Sequence, residues 1–428
     1  MNLKDKKLYD EKSIESLSPL EFTRLRPGVY CGDTTYPTQL LVEIISNAVD
    51  EYRLGHGNQI DVTINGDIIL VKDQGQGFIP NSFREDGKSI LEAAFSVLNT
   101  SGKYREDGTY EGTSLGSFGI GSKLCVFLSH WLTVSTFRDG KSETIRFEEG
   151  VFKSRKINEN SNNPSGTIVE WQPSEEFFTY TRVEINKIKN LFKTIVCLCP
   201  GLTINLNDNG IKTSFVSNRG INDLIDDIVK DKEIINNRFV LNFIEGKDKM
   251  DLILTYTNSY SSTIIPYVNT GLTESGSHIT QIKTIITREF NKFFKEKKWL
   301  KEKDANLTGD DIQEGMCIVF NITAPNVSYD AQVKSRITKI NMVPFNSPFA
   351  SALNVWLNKN EKEIKPIFDK AITARKAREA AKKAKEVVRK PKDKEKSLKA
   401  KMALSDKFTD CKCKDPKKRN LMLVEGTK

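Results

Sequence analysis

The chain has 428 residues, which is too long for one ordinary domain, so two or three domains are expected. Hydrophobic residues make up 38% of it, enough for packed cores, yet no stretch approaches the roughly 18 apolar residues of a membrane span. The N-terminus does not look like a signal peptide and the seven cysteines are scattered, so composition excludes a membrane-spanning or exported, disulfide-rich protein and predicts a cytoplasmic one.

The net charge of +9 is concentrated near the C-terminus. Residues 371–420 contain 19 Lys and Arg against 7 Asp and Glu, a net of +12, which leaves −3 for the rest of the chain. A basic strip on a nearly neutral body indicates contact with phosphate backbones, and duplex DNA is the expected partner. A solvated Lys-rich helix or linker is the alternative explanation of the same charge pattern.

The first half of the chain predicts a sheet covered on one side by helices, an α+β arrangement. Residues 38–54 have the 3.6-residue apolar spacing of a helix, and residues 59–73 alternate around an Asn65-Gly66 turn like a hairpin. The other predicted elements are a Gly-rich loop at 101–121, helices at 122–129 and 181–196, and strands near 131–137, 144–148 and 167–171.

From about residue 216 the pattern restarts and predicts a second, α/β domain. Its predicted elements are strands near 238–243, 250–257 and 316–323 and helices at 278–297 and 349–370. Residues 362–388 form a charged helical run rich in Ala, Lys and Arg that is broken at Pro391. A tail, 401–428, ends in a strand-like segment.

Three polar residues lie on one face of the predicted 38–54 helix. Glu43, Asn47 and Asp50 are spaced i, i+4 and i+7, opposite the apolar face. A carboxylate there can take a proton from water, and an amide oxygen suits Mg²⁺. By itself, the cluster is more often an ordinary solvated helix face.

A second cluster directly follows the predicted hairpin. In the run Asp73-Gln-Gly75-Gln-Gly77-Phe-Ile79-Pro, two glycines let the backbone pass close to a flat ligand. An Asp at a strand end can accept a hydrogen bond from an exocyclic amine. A simple turn is the alternative.

A third cluster is the Gly-rich run from Gly112 to Lys123, which opens a helix. Glycine-rich loops at helix N-termini present backbone N–H groups to phosphates. The spacing is not that of a Walker A loop, and the run is closer to a flexible lid.

In this order and spacing, the three clusters resemble the Bergerat-type ATP site that gyrase shares with the MutL mismatch-repair proteins and the histidine kinases. The resemblance implies ATP under a mobile lid. It also implies Glu43 as general base, Asn47 on Mg²⁺ and Asp73 on adenine.

Further segments are similar to the B subunits of gyrase and topoisomerase IV. They are Tyr9 to Ile14, Arg26 to Asp33, Leu98 to Tyr104, Gly166 to Pro173, Ser277-His278, Leu307 to Gly315, Gln332-Val333-Lys334 and Asp410 to Gly426. This resemblance implies a GHKL (Bergerat) ATPase domain at 1–215 with an N-terminal dimerisation arm. It also implies a ribosomal-S5-like transducer domain at 216–370, a basic helical extension at 371–400, and a linker with an incomplete start of a Toprim domain at 401–428.

The resemblance also implies a gate that closes on ATP and reopens after hydrolysis. Two chains would dimerise through arms that send Tyr9 and Ile14 into the partner's nucleotide site, and Lys334 would reach the γ-phosphate. Without the later Toprim carboxylates and the DNA-attacking Tyr, this chain would not cleave DNA alone and would need a DNA-cleavage subunit or domain. The implied nucleotide-site residues are Tyr9, Ile14, Glu43, Asn47, Asp50, Asp73, Gly75, Gly77, Ile79, Lys103, Tyr110, Gly116, Ser117, Phe118, Gly119, Ile120, Gly121, Ser122, Lys123, Thr167, Gln332 and Lys334.

Several positions depart from the gyrase pattern. The lid segment from Gly119 to Cys125 is closer to eukaryotic and phage-type enzymes, which makes a phage-encoded enzyme in a bacterial host plausible. Gln76 stands where gyrase has Arg, so the rim of the adenine pocket is expected to lack a guanidinium that coumarin inhibitors use. A MutL-like ATPase and a nucleotide-binding regulator without turnover are the alternatives. Intact Glu43 argues against the regulator.

Overall fold

The structure, a computed structural model, describes residues 17–98, 120–330, 335–389, 415 and 417. The chain divides into two compact units, residues 1–372 and 373–428, which are described separately. Among the described helices, none is both long and apolar enough to cross a membrane.

The first half of the larger unit is built on an eight-stranded sheet with strand order β5-β4-β3-β6-β2-β1-β7-β8. Neighbouring strands are antiparallel except for the parallel pair β1 and β7. The elements are α1 (Pro19–Leu25), α2 (Gly28–Cys31), α3 (Thr38–Arg53), β1 (Gln59–Asn65), β2 (Ile68–Asp73), α4 (Ile90–Ser96), α5 (Gly121–Phe127), β3 (Ser129–Arg138), β4 (Lys141–Glu148), β5 (Val151–Asn158), β6 (Gly166–Pro173), α6 (Ile185–Leu198), β7 (Thr203–Asp208) and β8 (Ile211–Val216).

Helices cover one face of this sheet, as the alternation in the sequence predicts. On β1, Ile60, Val62 and Ile64 are buried and the residues between them are more exposed. They share one apolar core with Leu41 and Ile44 of α3 and with residues of α5 and α6. Burial of each such side chain contributes roughly 1.5–3 kcal/mol to folding, so these contacts hold α3 against the sheet.

The second half of the larger unit is built on a five-stranded sheet with order β12-β11-β13-β10-β9, in which β11 and β13 are parallel. One face packs with α8 and α10 in a large apolar core, and the other face packs against α7. The elements are α7 (Ile221–Val229), β9 (Phe239–Glu245), β10 (Asp248–Tyr256), β11 (Thr263–Val268), β12 (Gly271–Leu272), α8 (Ser277–Glu296), α9 (Gly309–Gln313), β13 (Met316–Thr323), β14 (Ser328–Tyr329), β15 (Ile337–Lys339), α10 (Val343–Lys359) and α11 (Glu361–Arg389).

The predicted single helix at 349–370 is wrong, because two helices meet there. Asn360 ends α10 by donating from its side chain to the Trp356 carbonyl at 2.8 Å. Its own carbonyl then accepts from the N–H groups of Glu363 and Ile364, which starts α11. An Asn side chain that bonds the backbone four residues earlier can satisfy a helix end locally. The charged run predicted at 362–388 is confirmed as part of α11.

Candidate functional site

Helix α3 carries the first predicted cluster, and the alternative of an ordinary solvated helix face is wrong for two of its three residues. Glu43 and Asp50 are each only 4% exposed, whereas Asn47 is exposed. Glu43 Oε1 accepts a hydrogen bond from Gln39 Nε2 at 2.9 Å. The sequence did not indicate this burial, because α5, which covers Glu43, lies more than 70 residues further along the chain.

Helix α5 approaches the Glu43 carboxylate through a glycine. A Cβ atom at Gly121 would collide with Glu43 Oε2, so a larger residue there would force the carboxylate to move. Ile120 is the residue before this helix. The start of α5 and the middle of α3 thus form one side of the candidate site.

The two polar residues that follow Gly121 have different surroundings. Ser122 Oγ donates to the Ala94 carbonyl at 2.9 Å, so this hydroxyl ties α5 to the end of α4. Lys123 is 2% exposed, and burial lowers the pKa of its ammonium group to about 8. A buried ammonium that holds its proton weakly gains stability from a nearby anion.

Asp73 ends β2 and lies half-buried beside β6. Its Oδ1 accepts from the backbone N–H groups of Gly75 at 2.7 Å and Thr167 at 3.2 Å. Burial raises the pKa of the Asp73 carboxyl to about 6; the two N–H groups oppose the rise and the charge of Glu51 adds to it. One carboxylate oxygen is therefore fixed in place, which orients the other.

The loop after Asp73 needs a glycine at its sharpest point. Gly77 has a φ of +69°, and a Cβ there would lie 2.5 Å from the carbonyl oxygen of Phe137. Next to it, the Phe78 N–H donates to Thr136 Oγ1 at 2.7 Å. Ile79 follows and is 51% exposed. The loop is thus held on β3 while an apolar side chain projects from it.

The rim of this loop carries a guanidinium, contrary to the expectation from Gln76. Arg138 Nη1, at the end of β3, donates to Gln76 Oε1 at 3.5 Å and to the Gly77 carbonyl at 3.3 Å. Glu51 Oε2 accepts from the Gln76 backbone N–H at 3.1 Å, so it has a partner even without an Arg at position 76. In the sequence, the feature that could have indicated Arg138 is its position directly before the Asp139-Gly140 turn.

The exit of the loop is anchored by an ion pair to a buried carboxylate that sequence reasoning missed. Glu143 on β4 is fully buried; it accepts from Arg155 Nε at 2.9 Å and from the Asn81 N–H at 2.8 Å. Arg155 also donates to Asn81 Oδ1 at 3.1 Å and lies over the Phe83 ring at 4.5 Å. Such anchoring restrains where the loop that begins at Asp73 returns to the sheet.

The structure thus connects the three sequence clusters through α3, which contacts Gly121 at Glu43 and the loop after Asp73 at Glu51, although only part of the predicted site can be located. Glu43, Asn47 and Asp50 are on α3, Gly121 to Lys123 are on α5, and Asp73 lies beside Thr167. The predicted site residues outside the described part of the chain are Tyr9, Ile14, Lys103, Tyr110, Gly116, Ser117, Phe118, Gly119, Gln332 and Lys334.

Curated proteins match nearly the whole chain. The B subunit of DNA topoisomerase 4 from Streptococcus pneumoniae is 36% identical over 433 residues, which cover 98% of this chain and 66% of that protein. The B subunit of DNA gyrase from Thermotoga maritima is 32% identical over 438 residues, covering 98% and 67%. The chain therefore spans about two thirds of the length of these relatives. A family model described as DNA gyrase B matches residues 220–387.

Solved structures agree on the fold. The 43K ATPase domain of Thermus thermophilus gyrase B, crystallised with an aminocoumarin, has a TM-score of 0.67 and 27% identity, covering 86% of this chain and 98% of that one. The topoisomerase IV ATP-binding domain of Francisella tularensis has a TM-score of 0.70 and 25% identity, covering 84% and 97%. The two sheets are therefore a GHKL ATPase fold followed by a transducer fold, and the chain belongs to the family of gyrase and topoisomerase IV B subunits of type II DNA topoisomerases.

Proposed function

We propose that this chain binds and hydrolyses ATP, and that ATP-driven dimerisation makes it the entry gate of a type II DNA topoisomerase. The observation that carries the proposal is the arrangement around α3: the Gly121 helix start lies against a buried Glu43, and the loop after the fixed Asp73 carboxylate is bonded to Glu51 of the same helix. The relatives bear names of such enzymes, which favours this function over a MutL-like ATPase.

The adenine end of ATP would be read by Asp73. The free carboxylate oxygen would accept from the exocyclic amine, while Gly75 and Thr167 hold the other oxygen. Gly77 would let the backbone pass close to the base, and Ile79 would offer an apolar contact at its edge. Asp50, on α3, is a further proposed residue of the nucleotide site.

The phosphate end would lie near α3 and α5. Glu43 would take a proton from the attacking water, a role that suits a carboxylate screened from bulk solvent. The exposed amide of Asn47 has the oxygen donor that Mg²⁺ accepts, with phosphate oxygens and water completing its coordination; the ion would neutralise phosphate charge. Lys123 is a suitable cation for a phosphate oxygen. The remaining ligands would come from the 101–119 segment and from Gln332 and Lys334.

We further propose the domain limits that follow from the resemblance: an ATPase domain at 1–215, a transducer at 216–370, a basic extension at 371–400 and the start of a Toprim domain at 401–428. The change of sheet between β8, which ends at Val216, and α7, which begins at Ile221, supports the first limit. The partner would be a Toprim and DNA-cleavage part of the enzyme in the cytoplasm, and a phage-encoded origin fits the lid sequence.

The gate function is tested by the mass of the protein in solution. The full chain should become a tight dimer with a non-hydrolysable ATP analogue, and Tyr9→Ala should weaken that dimer, because the arm is expected to cross to the partner. Leu25 and Val29, just after the arm, are 63% and 61% exposed, as suits a surface that a partner covers. Light scattering that shows the same mass with and without the analogue would refute the gate.

Nucleotide affinity should fall in mild acid. Because the Asp73 pKa is about 6 and the amine of adenine needs the ionised acceptor, binding below that pH requires a proton to leave first. Relative to pH 7, affinity should weaken by up to about tenfold per pH unit below pH 6. Titrations by calorimetry at several pH values check this. Asp73→Asn, which does not titrate, should remove the component below pH 6, and an unchanged profile would exclude Asp73 as its source.

The basic segment should bind duplex DNA weakly and without sequence preference. Residues 381–386 of α11 are all exposed, so their charges are available to phosphates. Binding should fade steeply with salt, because counterions are released from the DNA. Gel-shift titrations of the full chain and of a chain lacking residues 375–428 measure the difference. Equal affinity of the two at low salt would favour a solvated helix without a DNA role.

A further inference from the structure

The two sheets of the larger unit contact each other through the ends of α3 and α6. Leu198, the last residue of α6, is buried with Tyr267 and Val319 of the second sheet and with α7. Among the described residues, α3 contributes no side chain to this apolar cluster. The contact of the nucleotide-site helix with the second sheet is polar instead.

That polar contact is made by Arg53, the last residue of α3. Its guanidinium donates from Nη1 to the Asn269 carbonyl at 3.4 Å and from Nη2 to Thr323 Oγ1 at 3.2 Å. The Arg53 side chain is only 14% exposed, so these bonds compete little with water. Both acceptors are neutral and belong to the second sheet or its connecting turn.

The turn that carries the Asn269 acceptor is buried and hydrogen-bonded to the end of the second sheet. Asn269 is 2% exposed and has a φ of +50°. Its side chain bonds both backbone groups of Ala324, at 3.0 and 3.1 Å, and its N–H donates to the Ile322 carbonyl at 2.8 Å. Because these three hydrogen bonds join Asn269 to the end of β13, its carbonyl oxygen has a defined position relative to the second sheet.

Helix α3 connects Arg53 to the proposed nucleotide site. Asp50, one turn before Arg53 on α3, has its Oδ1 4.0 Å from Arg53 Nη1. Glu43 is ten residues earlier on the same unbroken helix, about 15 Å away at 1.5 Å per residue. Because a helix moves as a rod, a rotation of α3 at the nucleotide site would shift Arg53 against its fixed acceptors.

We propose that Arg53 is a positioning residue that fixes α3 relative to the second sheet and transmits nucleotide occupancy to that sheet. The inference rests on the proposed function, because it requires that the chain bind ATP. It gives the nucleotide-site helix a connection to the second sheet that does not involve Lys334. The size of such couplings is typically about five- to a hundredfold in an equilibrium constant.

The test uses the full chain and three variants. Arg53→Met keeps most of the apolar stem and removes both donors. Thr323→Val removes one acceptor from the opposite side and leaves Arg53 intact. The matched control is Tyr52→Phe, which removes the hydrogen bond from the Tyr52 hydroxyl to the Pro200 carbonyl at 2.7 Å. This control removes a hydrogen bond at the same end of α3, but one made to a residue of the first domain and not to the second sheet.

The measurement is hydrogen exchange of β11 and β13 with and without a non-hydrolysable ATP analogue, together with analogue affinity and kcat for ATP. In the wild type and in Tyr52→Phe, the analogue should change exchange in these strands by about tenfold. In Arg53→Met that change should fall at least about fivefold, and in Thr323→Val by a smaller factor. Analogue affinity should stay within about threefold, whereas kcat should fall because Glu43 is less well placed.

The outcomes separate the inference from the proposed function. A wild type that does not bind the analogue overturns both. A wild type that binds it, with an undiminished exchange response in both Arg53→Met and Thr323→Val, overturns the inference alone. If Arg53→Met is too unstable to purify, Thr323→Val decides: a reduced response supports the role of Arg53, and an undiminished one overturns it.

Discussion

Replacing Glu43 with Gln is expected to lower the rate of ATP hydrolysis by about a hundredfold or more while ATP affinity changes by only a few-fold. A general base acts on the attacking water, so its loss raises the barrier without removing a contact to the bound nucleotide. Glutamine keeps the shape that Gly121 accommodates and still accepts from Gln39, so the local packing is preserved. Steady-state turnover and equilibrium binding of a nucleotide analogue measure the two quantities separately.

The control for this substitution is Gln39→Met, which removes one hydrogen-bond donor to Glu43 and leaves the carboxylate in place. If Glu43 is the base, the control should lose turnover only several-fold, because the carboxylate is less well oriented but present. Equal losses of affinity and turnover in Glu43→Gln would instead mean that Glu43 has a structural role.

Replacing Asp73 with Asn is expected to weaken ATP binding by about tenfold to a hundredfold, as for loss of a hydrogen bond to a charged group. The amide can still accept from Gly75 and Thr167 through its oxygen. Its NH₂ group would then face the exocyclic amine of adenine, donor against donor. Since this contact is made before and during reaction alike, the turnover of saturated enzyme should change much less than the affinity.

The matched control is Glu51→Gln, which alters a carboxylate, beside the same loop, whose Oε2 accepts from the Gln76 N–H at the rim. It should bind ATP nearly as the wild type does, and thermal unfolding of both variants shows whether the fold is intact. If Asp73→Asn binds ATP as tightly as the control while both remain folded, Asp73 does not read the base.

Strong local periodicity is what made many elements predictable from the sequence. The β1–β2 hairpin has strict alternation around an Asn-Gly turn, and α3 and β13 have long apolar patterns, so the predicted and observed positions nearly coincide. Strand β5 was missed because it is an edge strand whose residues are mostly exposed, so it has no alternation to detect. Strand β11 was not predicted because it contains Pro266, and proline is uncommon inside strands.

The candidate site, too, could be predicted from the sequence only in part. The residue types Glu43, Asp73 and Gly121, with their order and spacing, were visible in the sequence and indicated the family. The burial of Glu43, the raised pKa of Asp73 and the presence of Arg138 at the rim were not, because each depends on a partner distant along the chain.

By itself, the sequence predicted which residues would hold a nucleotide, where the periodic helices and strands lie, and which family they belong to. Those properties depend on local spacing, on turn chemistry and on motif order. Only the tertiary structure decided that α5 covers Glu43, that Glu143 and Arg155 anchor the loop after Asp73, and that Arg53 contacts the second sheet. Those are pairings across tens to hundreds of residues, and packing in three dimensions selects them from many partners that the sequence permits equally well.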